Sequence, residues 1–244
     1  NRFDRYTFEA EEEDFEKVKT SFTEVFPKTI VNEVKSPDLR MEYSMNPYQG
    51  CEHGCSYCFA RPTHEYWGFS AGLDFERKIM VKKNAPELLE KFFQKRNYVP
   101  KTIMLSGNTD CYQPAERQFE ITRKILKVCL DYRHPISILS KNALVLRDLD
   151  LLKPMAEQNL ISVGLSIPTI NEEIRRKMEP RTSSTYNKLK AIEILSENQI
   201  PTMAMVAPVI PGLTSDESLN ILKTVSEAGA QTFGYSLIRL NDTV

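Results

Sequence analysis

"GCEHGCSYCFARPT", Gly50 to Thr63, places three of the chain's five cysteines within eight residues as Cys51-x3-Cys55-x2-Cys58. Clustered thiolates suit a soft metal centre, and three at this spacing do not form a disulfide framework. A tetrahedral site built from protein alone needs four donors, and this stretch offers three thiols. Two readings follow. His53 lies between the first two cysteines and would complete a Cys3His zinc site, although a tight loop makes simultaneous ligation awkward. The other reading leaves one position open for a non-protein ligand, as in a 4Fe-4S cluster with one free iron.

Working outward, "MEYSMNPYQG" from Met41 reads as a strand that feeds the cysteine loop. β-Branched runs recur downstream: "TIMLSG" from Thr102, "PISILSK" from Pro135, "LISVGLSIP" from Leu160, "PTMAMVAPVIP" from Pro201 and "TFGYSLIRL" from Thr232. Several are apolar almost throughout, as parallel strands covered on both faces are. Helical patterns lie between them. Asn84-Ala-Pro-Glu87 has the form of a capping box with an early proline and opens "ELLEKFFQK". "ERQFEITRKILKVCLDY" carries Ile121, Ile125, Val128 and Cys129 on one stripe. "DLDLLKPMAEQN", "TYNKLKAIEILSENQ" and "SDESLNILKTVSEAG" complete the set, the last closing at Gly229. Six strand–helix repeats, lacking only the last helix, mean βαβ units and a parallel sheet. In such sheets chemistry gathers on loops at the carboxyl ends of strands. The cysteine loop is one of these.

The bulk composition is that of a folded soluble protein: 244 residues, 41% hydrophobic, 27% charged, net charge −1. That charge provides no global field for nucleic acid. No apolar run has the length of a membrane span, and clustered free cysteines fit the reducing cytoplasm. Residues 1–35 are charged, include "EAEEEDFEKVK", and are expected to pack outside the sheet. Residues 36–244 form one domain.

The spacing Cys-x3-Cys-x-aromatic-Cys, with Tyr57 as the aromatic, resembles the radical S-adenosylmethionine (radical SAM) superfamily from about Met41 to the end. "NPYQGCEHGCSYCFARPTHEY", "LSGNTDCYQP", "SILSKNALVLRDLDLL", "LSIPT", "MEPRTSS" and "VAPVIPGLTSDE" resemble its DNA repair photolyase-like, spore photoproduct lyase-related family. The resemblance implies a partial six-stranded (β/α)6 parallel barrel and a family C-terminal region that this sequence lacks. It implies two cofactors, a 4Fe-4S cluster and S-adenosylmethionine, and an external electron donor of flavodoxin or ferredoxin type. The activity implied is reductive cleavage of S-adenosylmethionine to a 5′-deoxyadenosyl radical, with a DNA lesion as the candidate substrate. Radical modification of a peptide, an RNA or a small metabolite is the alternative. A non-catalytic iron–sulfur or zinc module is a further one.

Site residues carry over by position. Cys51, Cys55 and Cys58 would ligate the cluster, and the backbone at Tyr57 would approach the adenine. Ser106, Gly107 and Asn108 fall where the superfamily binds the cofactor's amino group. Lys141 matches a lysine of the lyase, and Ser166 falls in the ribose-contacting region. Arg181 would meet the cofactor carboxylate, where the lyase has glycine. Ala207, Pro208, Val209 and Ile210 would pack on the adenine. Cys111 is the catalytic candidate, a hydrogen donor displaced from the lyase's own, which aligns with Gly107. Arg61, Lys141, Arg147, Arg175, Arg176, Lys177 and Arg181 are expected to form a basic crescent around the mouth. Plainer assignments complete the reading. Asp110 caps the helix near Pro114, Cys129 is core, His134 sits in a surface turn, and Trp67, Phe69 and Phe75 shield the cluster or belong to core.

Overall fold

The computed structural model describes residues 19–35 and 41–239. Its strands are β1 (Ser21–Val25), β2 (Val31–Glu33), β3 (Tyr43–Met45), β4 (Tyr48–Gln49), β5 (Lys78–Lys82), β6 (Ile103–Leu105), β7 (Ile136–Ser140), β8 (Ile161–Ser166), β9 (Thr202–Val209) and β10 (Thr232–Leu237). Helices α1 (Leu73–Arg77) and α2 (Ala85–Phe93) flank β5, and α3 (Glu116–Phe119) and α4 (Ile121–Asp131) precede β7. Helix α5 (Leu149–Glu157) precedes β8, α6 (Glu172–Met178) and α7 (Thr185–Glu197) precede β9, and α8 (Ser218–Glu227) precedes β10.

All six runs that read as strands join one sheet in the order β3-β6-β7-β8-β9-β10, every pair parallel. Period-two alternation sorts their side chains. Ile136, Ile138, Val163, Leu165, Ala204 and Val206 enter the main core with Ile125, Leu152, Ile192 and Ile221 of the helices. The opposite face carries Ser44, Met104, Ser137 and Ser162 in one register row, and Leu139, Gly164, Met203 and Thr232 in the next. None of these eight is charged. Gly164 is tightly flanked there: a Cβ would stand 3.0 Å from both Leu139 Cδ1 and Met203 Cε, and 3.2 Å from the Ile138 carbonyl, so those neighbours would have to give.

Sequence and structure differ at several places. Residues 1–18 of the expected charged extension lie outside the described residues, as do 36–40 and 240–244. Residues 31–33 do not stand apart: β2 pairs antiparallel with β3 at the sheet edge. β1 pairs in parallel with β5, which also pairs with β4, making a second, three-stranded sheet. The single long helix expected from Glu116 breaks at Glu120, which adopts φ +51°. The Glu116 carboxylate accepts from the Thr122 and Arg123 amides and so caps the second piece. Asn84 does precede α2, but its side chain donates to the Pro27 carbonyl rather than closing a capping box. Gly229 ends α8 at φ +101°, as the pattern indicates. Phe233 and Tyr235 of β10 share the helix-side face with Ala204 and Val206 but are 64% and 75% exposed. His134 is buried and stacked on Phe93 at 4.1 Å, not set in a surface turn, and Cys129 is core. Among the described residues no helix is long and apolar enough to cross a membrane.

The second sheet braces the first through Lys82, whose ammonium donates to the Asn46 carbonyl (2.8 Å) just beyond β3. Burial lowers Lys82 to about 8. Between that value and the ordinary lysine value the unfolded chain binds more protons, so stability rises with pH across this window. Lys82→Met should remove the Lys82 share of that rise, about 3 kcal/mol at most. The check is the difference between wild type and variant in urea titrations at neutral and alkaline pH.

Candidate active site

The cysteine loop leaves β4 through Gly50, which adopts φ +79°; a Cβ there would lie 2.9 Å from the Phe75 carbonyl. Local backbone bonds then fold the loop on itself: Cys51 N–H donates to Phe75 O, Gly54 N–H to Cys51 O and Cys58 N–H to Cys55 O. Ser56 N–H donates to Met178 O, fastening the loop to the end of α6. Arg61 is buried inside this turn. It donates from Nε and Nη2 to the Cys55 carbonyl (3.2 and 3.0 Å), from Nη1 to the Ala71 and Gly72 carbonyls, and from Nη2 to Glu76 Oε1 at 2.6 Å. Cys51 and Cys55 are 7% and 6% exposed, and Ala60 and Phe75 pack against Cys51 and Cys58. Trp67 stays half exposed, and Phe69 stacks near His64, so Phe75 alone of the three aromatics backs the cysteines.

His53 is buried among Asp110, Asn142 and Cys51. Its Nδ1 lies 3.3 Å from Asp110 Oδ2 and its Nε2 3.3 Å from Asn142 Nδ2. Burial alone would lower the imidazole, but Asp110 and Cys51 raise it to about 10. Asp110 is no simple helix cap. It accepts from the Tyr112 amide (2.8 Å), the Ser140 hydroxyl (2.8 Å) and the Lys141 amide (2.7 Å), joining loops that follow three strands. The Asn46 side chain accepts from the Asn108 and Thr109 amides at 2.8 and 3.2 Å and fixes the Ser106–Asn108 turn. Ser106 holds φ +82° in that turn, its hydroxyl accepting from the Cys111 amide. Gly107 lies over Ser44, and the Asn108 side chain is exposed. Cys111 itself is wholly buried in the main core rather than at an open mouth, and burial pushes its thiol up.

Opposite the cysteines, Lys141 Nζ donates to Ser166 Oγ at 2.6 Å and lies 3.2 Å from Glu179 Oε1. Ser166 donates to the Ala207 carbonyl at 3.2 Å, linking β8 to the cis Ala207–Pro208 end of β9. Val209 and Ile210 continue that end, partly exposed. Glu179 is fully buried and also receives the Tyr57 hydroxyl and the Lys188 ammonium, the latter at 2.7 Å. Burial would raise this carboxyl, yet Lys141 and Lys188 hold it far below the carboxylate range. Burial lowers Lys188 despite Glu179, whereas for Lys141 the pull of Glu179 outweighs burial and raises it. Arg181 stands at the outer edge, engaged by Glu76 and the Glu52 carbonyl.

The expected basic crescent does not form as a free surface. Arg61 and Arg175 are buried; Lys141, Arg147 and Arg181 pair with Glu179, Glu116 with Asp148, and Glu76. Arg176 and Lys177 remain exposed, each beside a glutamate on its own helix. Sequence reading assigned no site role to Asn46, Glu179 or Lys188 and took Asp110 only for a cap. Glu179 lies within the quoted "MEPRTSS", which was a signal without a role. Lys188 reads as an ordinary helix-surface lysine.

The Radical SAM superfamily model matches residues 45–225. The chain belongs to the radical SAM superfamily. Its members use a 4Fe-4S cluster and S-adenosylmethionine. A Mycobacterium bovis protein of uncharacterised function is 34% identical over 223 residues, covering 89% of this chain and 66% of its own length. One from Methanocaldococcus jannaschii is 33% identical over 199 residues, covering 82% of this chain and 71% of its own. A spore photoproduct lyase with bound AdoMet and dinucleoside spore photoproduct shares the fold, with TM-score 0.69 at 17% identity over 91% of this chain and 63% of the lyase. Streptococcus suis SuiB bound to S-adenosylmethionine follows at TM-score 0.59 and 13% identity, covering 82% of this chain and 41% of SuiB. The chain thus spans slightly less than two thirds of the mycobacterial relative and of the lyase.

The donor set fits a cluster. Burial and the Cys51 sulfur raise the Cys58 thiol to about 11, and burial with Glu179 raises the Cys55 thiol well above its ordinary value. Bound iron would stabilise the thiolates that the bare loop disfavours. The soft donors of the loop are its three thiols, with His53 held beside Asp110 and Asn142. Arg61→Ala removes the buckle of this loop and leaves Glu76 only Arg181. We expect a loss of about 3 kcal/mol in urea denaturation, together with reduced iron after anaerobic reconstitution.

Proposed function

We propose that this chain reductively cleaves S-adenosylmethionine to initiate radical chemistry on a substrate. The observation that carries the reading is the buckled Cys51–Cys58 loop at the carboxyl end of the first parallel strands, with Lys141 in electrostatic reach of Cys55. When bound, cluster and S-adenosylmethionine supply an electron and a scissile sulfonium, and so a 5′-deoxyadenosyl radical. Cys51, Cys55 and Cys58 hold the iron. Phe75 and Ala60 keep water from the back of the thiols. The Ser106–Asn108 turn, fixed by Asn46, presents backbone polar groups to the cofactor's amino acid end. Lys141 and Ser166 orient the polar part of the cofactor, and Ala207–Ile210 flank its base. Electrons come from an external donor of flavodoxin or ferredoxin type.

The experiment is anaerobic reconstitution with S-adenosylmethionine and dithionite. We expect about four iron per chain and release of 5′-deoxyadenosine. Cys58→Ala should abolish the 4Fe-4S paramagnetic signal, and an unchanged signal would overturn the ligand assignment. Zinc retention with intact S-adenosylmethionine would favour the metal-module alternative. Ser166→Ala should weaken S-adenosylmethionine binding about fivefold with iron unaltered, as read by calorimetry.

For the substrate, the lyase-like family suggests a DNA lesion. The internal pairing of the basic residues favours a peptide or small metabolite instead. A phosphate-binding rim releases counterions and gives a steep salt slope. Binding of the cluster-loaded protein to duplex DNA, with and without a thymine dimer, separates the two. We expect a shallow slope and no preference for the damaged strand; a steep slope with such a preference would restore the DNA reading.

A further inference from the structure

We propose that Glu179 and Lys188 are positioning residues that set the charge of the cofactor pocket, leaving one surplus positive charge on Lys141 for the carboxylate of S-adenosylmethionine. The inference rests on the S-adenosylmethionine reading above. Its basis is a buried charge count. Two ammoniums, Lys141 and Lys188, face the single carboxylate of Glu179 at 3.2 and 2.7 Å. Lys188 and Glu179 are 1% and 0% exposed at the side chain, so water does not screen them. Asp110, which also acts on Lys141, is matched by His53 at 3.3 Å. Lys188 reaches the carboxylate from α7, behind the pocket, and takes Oε2. Lys141 and the Tyr57 hydroxyl share Oε1, with Lys141 also on Ser166. Lys188 therefore neutralises Glu179, and Lys141, 20% exposed at the side chain, keeps a charge that an entering anion can meet.

The arithmetic separates charge from mere packing. Lys188→Met leaves Lys141 and Glu179 as a neutral pair. Adding Glu179→Gln to it restores one net positive charge without restoring the original contacts. The measurement is calorimetric affinity for S-adenosylmethionine and for its decarboxylated analogue, on cluster-loaded protein, with iron content and Tm taken alongside. Wild type should prefer the carboxylate-bearing ligand. Lys188→Met should lose about tenfold of that preference with iron retained, and the double variant should regain it. An unchanged preference in Lys188→Met, or no recovery in the double variant, overturns the proposal. If Lys188→Met fails to fold, Glu179→Gln alone, with two unmatched ammoniums, must strengthen the preference; a weaker or equal preference overturns it. If wild type binds neither ligand, the S-adenosylmethionine reading itself fails and this inference fails with it.

Discussion

One buried carboxylate holds together the loops at the carboxyl end of the sheet. Asp110 accepts from the Ser140 hydroxyl and the Lys141 amide, receives His53 from the cysteine loop, and turns its own loop through the Tyr112 amide. Parallel strands end in loops that have no ladder to order them. A single anion that takes donors from its own loop and from the loop after β7, and pairs with His53 of the cysteine loop, supplies that order. Burial would raise the Asp110 carboxyl, but His53 holds it below the ordinary value. Removing the carboxylate would leave several donors without an acceptor at once, which makes the arrangement cooperative rather than a sum of separate bonds.

The scaffold beneath was legible because its signals are short-range. Apolar runs such as Ile136–Ser140 and Ile161–Ser166, with amphipathic helices between them, specify parallel strands whatever the rest of the chain does. The second sheet was not legible. β1 and β5 are joined by pairing of residues far apart in sequence, and β4 is two residues long, with no periodicity of its own. The break at Glu120 was hidden for a similar reason: the stripe of Ile121, Ile125 and Val128 continues, and only the Glu116 carboxylate shows where a new helix starts.

Within the site, the three cysteines announce themselves by spacing, whereas their supports do not. Arg61 reads as a surface cation but is folded under the loop it stabilises, and Lys188 reads as solvated but is sealed against Glu179. Composition cannot separate a lysine in water from one matched to a buried acid; only the tertiary pairing does. The same reasoning removed most of the expected basic rim, since the cations were present but already had internal partners.

The uncharged inward rows of the sheet have an evolutionary consequence. Met104, Met203 and Met205 point away from the helix core, into a face whose other members are mostly hydroxyls and glycine. Thioether side chains are adaptable and exchange at modest cost. No ion pair described above includes them. The interior can therefore be recontoured by substitution while the charged frame at the strand ends stays intact, so that the shape of the sheet's inner face and the charge at its rim can diverge independently on this scaffold.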